Sequence, residues 1–180
     1  VTDPLRRVFI QWGASQFYPA SAMACHVTAS PNHQTKRETP LKYRFDVAMT
    51  GRMGFELHPK DLSADELAFA KHAVADYKRI RPIVQQGDLY RLESPYDGSR
   101  ATLAYVSPDR RQSVVFVLGL DRPDDAPAGF ELPWLSPDVR YACREINCGS
   151  RRHEVTLEDR RLKTALSGPY DSAVFVVDAL

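Results

Sequence analysis

The residues most able to do chemistry lie on one short segment, HVTASPNHQTKR, which runs from His26 to Arg37. Its twelve positions hold two histidines, one asparagine, one glutamine and two cations, all of which can hydrogen-bond to a polar ligand. Loops between regular elements are where a rigid scaffold presents its binding groups. A solvated turn is the competing interpretation, because Ser30-Pro31-Asn32 is ordinary turn chemistry. The residues by themselves leave both interpretations open.

Cysteine and histidine also raise the question of a metal or thiol site. The candidates Cys25, His26, His33, Cys143 and Cys148 lack the paired spacing of a four-ligand zinc site and fall in two different halves of the chain. Cys25 directly precedes His26, and neighbouring side chains of a strand point to opposite faces. We therefore expect no metal, no cofactor, and a packed Cys25 that does not act as a nucleophile.

Carboxylates in the first half are the remaining candidates. Asp3 precedes Pro4 and is expected to be a helix N-cap. Asp46 falls within a predicted helix and Asp65 within a capping box, so both are interpreted as structural. Glu56, near the end of a predicted strand, either points into a site or is solvated. No phosphate-binding glycine loop, nucleophile elbow or paired-histidine motif occurs.

Composition argues against several classes of partner. The chain has 180 residues, is 43% hydrophobic and 26% charged, and carries a formal net charge of +1, which gives no electrostatic basis for binding nucleic acid or an anionic membrane. No apolar run reaches the roughly 18 residues that a membrane span needs, and no secretory leader is visible. Three cysteines do not make a disulfide framework. We expect a cytoplasmic protein that binds neither nucleic acid nor membrane.

The polar loop must be positioned by an α/β layout. Helical spacing predicts helices starting at Pro4, at Thr39-Pro40 and at Ser63, and the short apolar segments AMACHVTA and RMGFEL between them are predicted strands. Helices that alternate with strands are typical of a parallel α/β fold. Two strands are too few for a stable sheet. Residues 1–86 are therefore expected to be the last part of a larger α/β unit.

From Gly87 onward the sequence has the pattern of β structure. Short segments rich in aromatic or β-branched residues are separated by turn residues: DLYRLESP, RATLAYVSPD, SVVFVLGL, GFELPWL, RYACREI, HEVTL and SAVFVVDAL. This spacing is typical of an all-β sandwich. We expect residues 87–180 to form a second, antiparallel β-sandwich domain.

Several motifs follow one another in a specific order: TDPLRRVFIQWG, Tyr18-Pro19, AMACHV, SPNHQTKR and GRMGFEL. Over about the first 120 residues, and more weakly to the end, this series resembles glycoside hydrolase family thirty-six, the microbial α-galactosidases. YKRIRPIVQQGDLYRLESP resembles the passage from that family's barrel into its C-terminal sheet domain. Two departures are visible: Ala24-Cys25 replaces the usual Gly-Ala, and Lys36 stands where Gly is usual.

The resemblance implies a (β/α)8 barrel whose site lies at the carboxyl ends of its strands. On that frame AMACHVTA is the seventh strand, RMGFEL the eighth, and residues 63–86 the last helix. The polar loop then follows the seventh strand at the rim of the active site. We expect His26, Asn32 and His33 to bind sugar hydroxyls or to brace the neighbouring loops.

The resemblance also implies a reaction. Family members retain anomeric configuration with two carboxylates, a nucleophile and an acid/base. The family's Lys-Trp-Asp-type nucleophile motif does not occur here, and Thr2-Asp3 aligns with the last two residues of the Ser-Asp-x-Thr-Asp-like stretch, which places the acid/base directly before Val1. We expect α-galactosides of the raffinose or melibiose type as substrates of a homo-oligomeric full-length enzyme. Residues 1–180 alone are expected to contain neither catalytic carboxylate and to be inactive.

The alternative is a non-catalytic carbohydrate-binding or assembly module whose β-sandwich is the functional part. Sugar binding by sandwiches uses exposed aromatic faces, for which Tyr90, Tyr105, Trp134 and Tyr141 are candidates. Their strand-like surroundings favour a packed core instead.

Overall fold

Three α-helices form where the helical spacing predicts them. The computed structural model describes residues 1–180, and the helices are α1 (Pro4–Ala14), α2 (Leu41–Met49) and α3 (Ala64–Gln86). Asp3 caps α1 by accepting a hydrogen bond from the backbone N–H of Arg6, and Ser63 and Glu66 form a capping box at the start of α3. Both predicted helix starts are confirmed. None of the helices combines the length and apolar character that a membrane span requires.

Ten strands account for the apolar segments of the sequence. They are β1 (Ala24–Thr28), β2 (Arg52–Glu56), β3 (Asp88–Glu93), β4 (Arg100–Val106), β5 (Gln112–Gly119), β6 (Gly129–Glu131), β7 (Tyr141–Ile146), β8 (Thr156–Glu158), β9 (Arg161–Lys163) and β10 (Ser172–Ala179). The sequence pattern does not predict β9, because Leu162 is its single apolar residue between two cations. Every other strand falls within a predicted segment or extends one residue past it, as β5 does at Gln112 and β8 at Glu158.

The strands form three sheets. β1 and β2 pair in parallel, and the strands after residue 87 make a five-stranded sheet of order β3-β4-β5-β10-β7 and a three-stranded sheet of order β6-β9-β8. All pairings in the latter two sheets are antiparallel. The last strand of the chain, β10, lies between β5 and β7, so the C-terminal segment completes the middle of the large sheet.

The five-stranded sheet is buried on both faces, because alternate residues of its strands face different cores. Ala104 and Val115 lie in a core shared with Phe130 and Leu162 of the three-stranded sheet. Phe116, next along β5, lies in a second core that includes residues of β1 and all three helices. Two packed antiparallel sheets therefore form the C-terminal half, as expected, and the helical half covers the outer face of the larger one.

The aromatic residues that the carbohydrate-module interpretation needs are mostly packed. Trp134 and Tyr105 are only 4% and 3% exposed. The Tyr90 ring lies 4.8 Å from the Trp134 ring, centroid to centroid, and the Tyr141 hydroxyl accepts a hydrogen bond from the backbone N–H of Ser136. The predicted packed core is confirmed at Trp134 and Tyr105, which removes these two rings as binding platforms.

A buried polar cluster joins the two halves of the chain. Asp46 of α2 is fully buried, and its carboxylate accepts hydrogen bonds from Lys42 (2.5 Å), the Asn147 side-chain amide (2.5 Å) and the Ser172 hydroxyl (2.7 Å). We call these four residues the Asp46 cluster. Asp46 is therefore structural, as expected. The division into domains at residues 86 and 87 stays a prediction, and hydrogen bonds and apolar packing both cross it.

Candidate active-site edge

β1 and β2 present two chemically different faces. Their register pairs Cys25 with Met53 and His26 with Gly54, and side chains at paired positions of parallel strands lie on the same face. The Cys25 face packs into the hydrophobic core with the helices. The His26 face also carries Glu56, and the two side chains are 45% and 54% exposed because no element of this chain covers them. The uncovered face is therefore the polar one.

His26 lies against the backbone of β2. A Cβ atom on Gly54 would come within 2.9 Å of His26 Cδ2, so glycine is what lets the imidazole lie there. His26 Nδ1 is 3.8 Å from Glu56 Oε2. An imidazole and a carboxylate thus stand next to each other on an open face, where both can exchange hydrogen bonds with a polar ligand. Both interpretations of Glu56 stay open, since its side chain stands beside His26 and is also 54% exposed.

Cys25 faces away from His26, as the strand geometry predicts. Its side chain is fully buried, and burial raises the pKa of its thiol, which is the opposite of what a thiolate nucleophile needs. No group of three or more His, Cys, Asp or Glu residues is arranged to hold a metal ion.

Asn32 organises the loop between β1 and α2. Its side-chain oxygen accepts hydrogen bonds from the backbone N–H groups of Gln34 (3.0 Å) and Thr35 (3.2 Å). Its side-chain amide donates to the Thr2 hydroxyl at 3.0 Å. Asn32 is 1% exposed. The turn chemistry is therefore real, but the turn also binds another part of the chain.

Hydrogen bonds to that loop and to the last residue of β1 hold Thr2 in place. Its backbone N–H donates to Gln34 Oε1 (3.1 Å), its carbonyl accepts from the Thr28 hydroxyl (2.9 Å), and its hydroxyl accepts from Asn32. Thr28 is the last residue of β1. The segment that enters α1 is thus fixed at the carboxyl end of β1, which is the edge where parallel α/β folds place their sites.

Asp3 adds an ion pair to the same contact. One carboxylate oxygen caps α1, and the other accepts hydrogen bonds from the Thr35 hydroxyl and the Arg37 guanidinium. Burial raises the pKa of the Asp3 carboxyl, but the hydrogen bonds from Thr35, the Arg6 N–H and Arg37 outweigh it, so the pKa lies below its ordinary 3.8. Asp3 is therefore ionised at neutral pH. It caps the helix, as expected, and also anchors the loop.

The structure does not bring the three predicted site residues together. His26 lies on the uncovered strand face, Asn32 is buried inside the loop, and His33 is exposed on the loop surface. No hydrogen bond joins either histidine to Asn32. Their binding of sugar hydroxyls stays a prediction; the contacts of Asn32 match the bracing role that was its alternative.

Sequence reasoning missed the residues that fix the edge. Thr2, Thr35 and Arg37 hold the segment that enters α1 against the loop. The sequence feature that could have indicated them is the polar loop that follows β1, because a buried carboxylate such as the α1 cap needs cationic or hydroxyl partners. The identity of those partners depends on tertiary contact.

The chain is similar in sequence to known proteins. The model of the melibiase family matches residues 1–87. α-Galactosidase AgaA of Geobacillus stearothermophilus is 43% identical over 176 residues, which is 97% of this chain and 23% of that protein. α-Galactosidase 2 of Hypocrea jecorina is 34% identical over 179 residues, which is 98% of this chain and 24% of that protein.

A solved structure gives the same result for the fold. The crystal structure of a variant of Geobacillus stearothermophilus AgaA in complex with raffinose has a TM-score of 0.80 and 34% sequence identity, and the match covers 99% of this chain and 25% of that one. The chain thus spans about a quarter of the length of the relatives it matches. Both halves of the chain therefore match the same α-galactosidases, among which AgaA is a member of glycoside hydrolase family thirty-six.

Proposed function

We propose that residues 1–180 are the C-terminal part of a retaining α-galactosidase that hydrolyses terminal α-galactosyl residues of raffinose- or melibiose-type oligosaccharides. The main support is the set of hydrogen bonds that joins the β1–α2 loop to Thr2 and Asp3. It fixes the motif that follows the family's acid/base at the carboxyl edge of two parallel strands. The similarity to that family supplies the reaction class.

β1 and β2 are proposed to be the seventh and eighth strands of a (β/α)8 barrel, with α3 as its last helix. Support comes from the two faces of the strand pair. One face packs against helices, as the outer face of such a barrel does, and the other is polar and uncovered. The remaining strands of the full-length protein would pair with the free edges and enclose His26 and Glu56 inside the barrel mouth.

The reaction needs two carboxylates close together, one to attack the anomeric carbon and one to protonate the leaving oxygen and then activate water. In the proposed enzyme both belong to the chain before Val1. The residues described here bind and position: His26 and His33 can donate to or accept from galactose hydroxyls. Asn32 and Asp3 hold the loop and the segment entering α1 in one geometry, which proximity catalysis requires.

The test compares the full-length enzyme with residues 1–180 on a chromogenic α-galactoside. The full-length protein is expected to turn over the substrate and to keep its activity after treatment with a chelator. The shorter chain is expected to show none, because the carboxylates are missing. An inactive full-length protein would contradict the proposed function. Turnover by residues 1–180 would instead contradict the alignment around Thr2 and Asp3.

A further inference from the structure

Tyr170 is anchored to the end of the large sheet. It lies in the segment that enters β10, and its backbone N–H donates to the Leu120 carbonyl at 2.9 Å. Its ring packs edge-on against the ring of Tyr43, centroids 5.8 Å apart. Tyr43 is fully buried and donates its hydroxyl proton to the Gly119 carbonyl at 2.8 Å. Tyr170 is therefore held by its backbone to Leu120, which follows residue 87, and by its ring to Tyr43, which precedes residue 87.

The Tyr170 backbone adopts a conformation that glycine favours. Its φ is 56°, in the left-handed region, although the residue carries a large side chain. Such a conformation costs free energy and persists only where the surrounding contacts determine it. Such residues cluster at functional sites, so we expect the tyrosine at this position to have a role in addition to packing on Tyr43.

The Tyr170 hydroxyl has one hydrogen-bond partner, the Arg37 Nε group at 3.1 Å. Phenylalanine would pack equally well on Tyr43, so the hydroxyl serves Arg37. The same guanidinium donates through Nη1 to Asp3. A planar guanidinium held from two directions has one orientation. Tyr170 therefore sets the direction from which Arg37 approaches Asp3.

We propose that Tyr170 is a positioning residue for the acid/base of the α-galactosidase, acting through Arg37 and Asp3. The inference rests on the proposed function, in which the acid/base directly precedes Val1. The first residues after the acid/base whose positions are set by hydrogen bonds to the β1–α2 loop are Thr2 and Asp3. By this path the C-terminal sheet half contributes to the catalytic geometry, in addition to covering the helices.

The test uses Tyr170→Phe in the full-length enzyme and two substrates that differ in their need for an acid. Melibiose has a basic sugar leaving group that must be protonated, whereas 2,4-dinitrophenyl α-galactoside has a leaving group that departs unaided. A misplaced acid lowers kcat/KM for melibiose by about tenfold and for the activated substrate by less than about twofold. The thermal midpoint is expected to stay close to that of the wild type.

Arg37→Lys provides an independent variant. It keeps a cation for Asp3 but removes the Nε donor that Tyr170 accepts from. The same substrate-dependent loss is expected, and the Tyr170→Phe, Arg37→Lys double variant is expected to lose no more than Arg37→Lys alone, because both act on one contact. Tyr141→Phe is the matched control, since it removes a tyrosine hydroxyl that accepts from the Ser136 N–H at the other end of the large sheet.

The outcomes separate the inference from the proposed function. An inactive wild-type enzyme would refute both. An active wild type with Tyr170→Phe unchanged on both substrates would refute the inference alone. Equal losses on both substrates together with a lower thermal midpoint would also refute it, because they would make Tyr170 a stabilising residue only.

Discussion

His153 is expected to make the stability of the C-terminal half depend on pH. Its imidazole lies between two carboxylates, with Nδ1 2.8 Å from Glu145 Oε1 and Nε2 2.7 Å from Asp171 Oδ2. The side chain is only 8% exposed. The hydrogen bonds to Asp171 and Glu145 raise the pKa of His153 from 6.5 to about 9, against the opposing effect of burial. The protonated ring thus ties the β7–β8 loop to the segment before β10.

The sign and size follow from that pKa. Because the folded pKa lies above the unfolded value of 6.5, the stabilisation is fully present below pH 6.5 and is lost as the pH rises through about 9. At about 1.4 kcal/mol per tenfold change in proton affinity, the contribution is on the order of 3 kcal/mol. The pKa of Asp171 is lowered to about 2, its burial being outweighed by the His153 hydrogen bond, so protonation breaks the contact again near that pH.

The measurement is the thermal midpoint of the full-length protein and of His153→Gln between pH 6 and pH 10. The variant is expected to unfold well below the wild type at pH 6, and the gap is expected to shrink above pH 9 as the wild-type ring loses its proton. His72→Gln, on the exposed surface of α3, is the control and should follow the wild type. A gap that stays constant across the whole range would refute the electrostatic reasoning.

Three further predictions concern the loop and the boundary. His26→Ala or His33→Ala in the full-length enzyme is expected to lower kcat/KM by tenfold or more, roughly 1.4 kcal/mol, with little change in thermal midpoint. Asn32→Ala should in addition lower that midpoint, because it removes four hydrogen bonds of a buried side chain. A lower midpoint with normal kinetics would assign any of the three residues to the scaffold. Lys36→Gly is expected to raise the free energy of unfolding by about 1 kcal/mol, since Lys36 has a φ of 59°, and urea unfolding that shows no gain would contradict this. Asp46→Ala is expected to lower the free energy of unfolding by about 3 kcal/mol, because the Asn147 amide and the Ser172 hydroxyl lose their partner and Lys42 keeps only the Ser172 carbonyl; a loss under about 1 kcal/mol in urea unfolding would show that these groups find other partners.

The helices and most strands were predictable because their signals are local. The Asp3 cap, the Ser63–Glu66 capping box and the change of period near Gly87 each depend on a few neighbouring residues, and all appear in the structure. Short charged strands such as β9 carry no such signal, since their pairing depends on a distant partner.

The sequence predicted which segment forms the candidate site, but not which hydrogen bonds its side chains make. The residue types and motif order of the β1–α2 loop identified the segment and the family that it resembles. They did not show that Asn32 is buried and used by the chain itself, because hydrogen-bonding side chains have the same identity whether they face a ligand or a neighbouring segment.

By itself, the sequence determined which segments are helical and most of those that are extended, that their order is that of a parallel α/β unit followed by antiparallel strands, and which family they resemble. Those properties depend on caps, periodicity and motif order within short stretches. Only the tertiary structure decided that β10 lies in the middle of the large sheet and that Arg37 meets Tyr170, which is 133 residues away. Contacts of that separation exist only once the sheets and helices have packed, because packing fixes the distance and direction between side chains that the linear order leaves free.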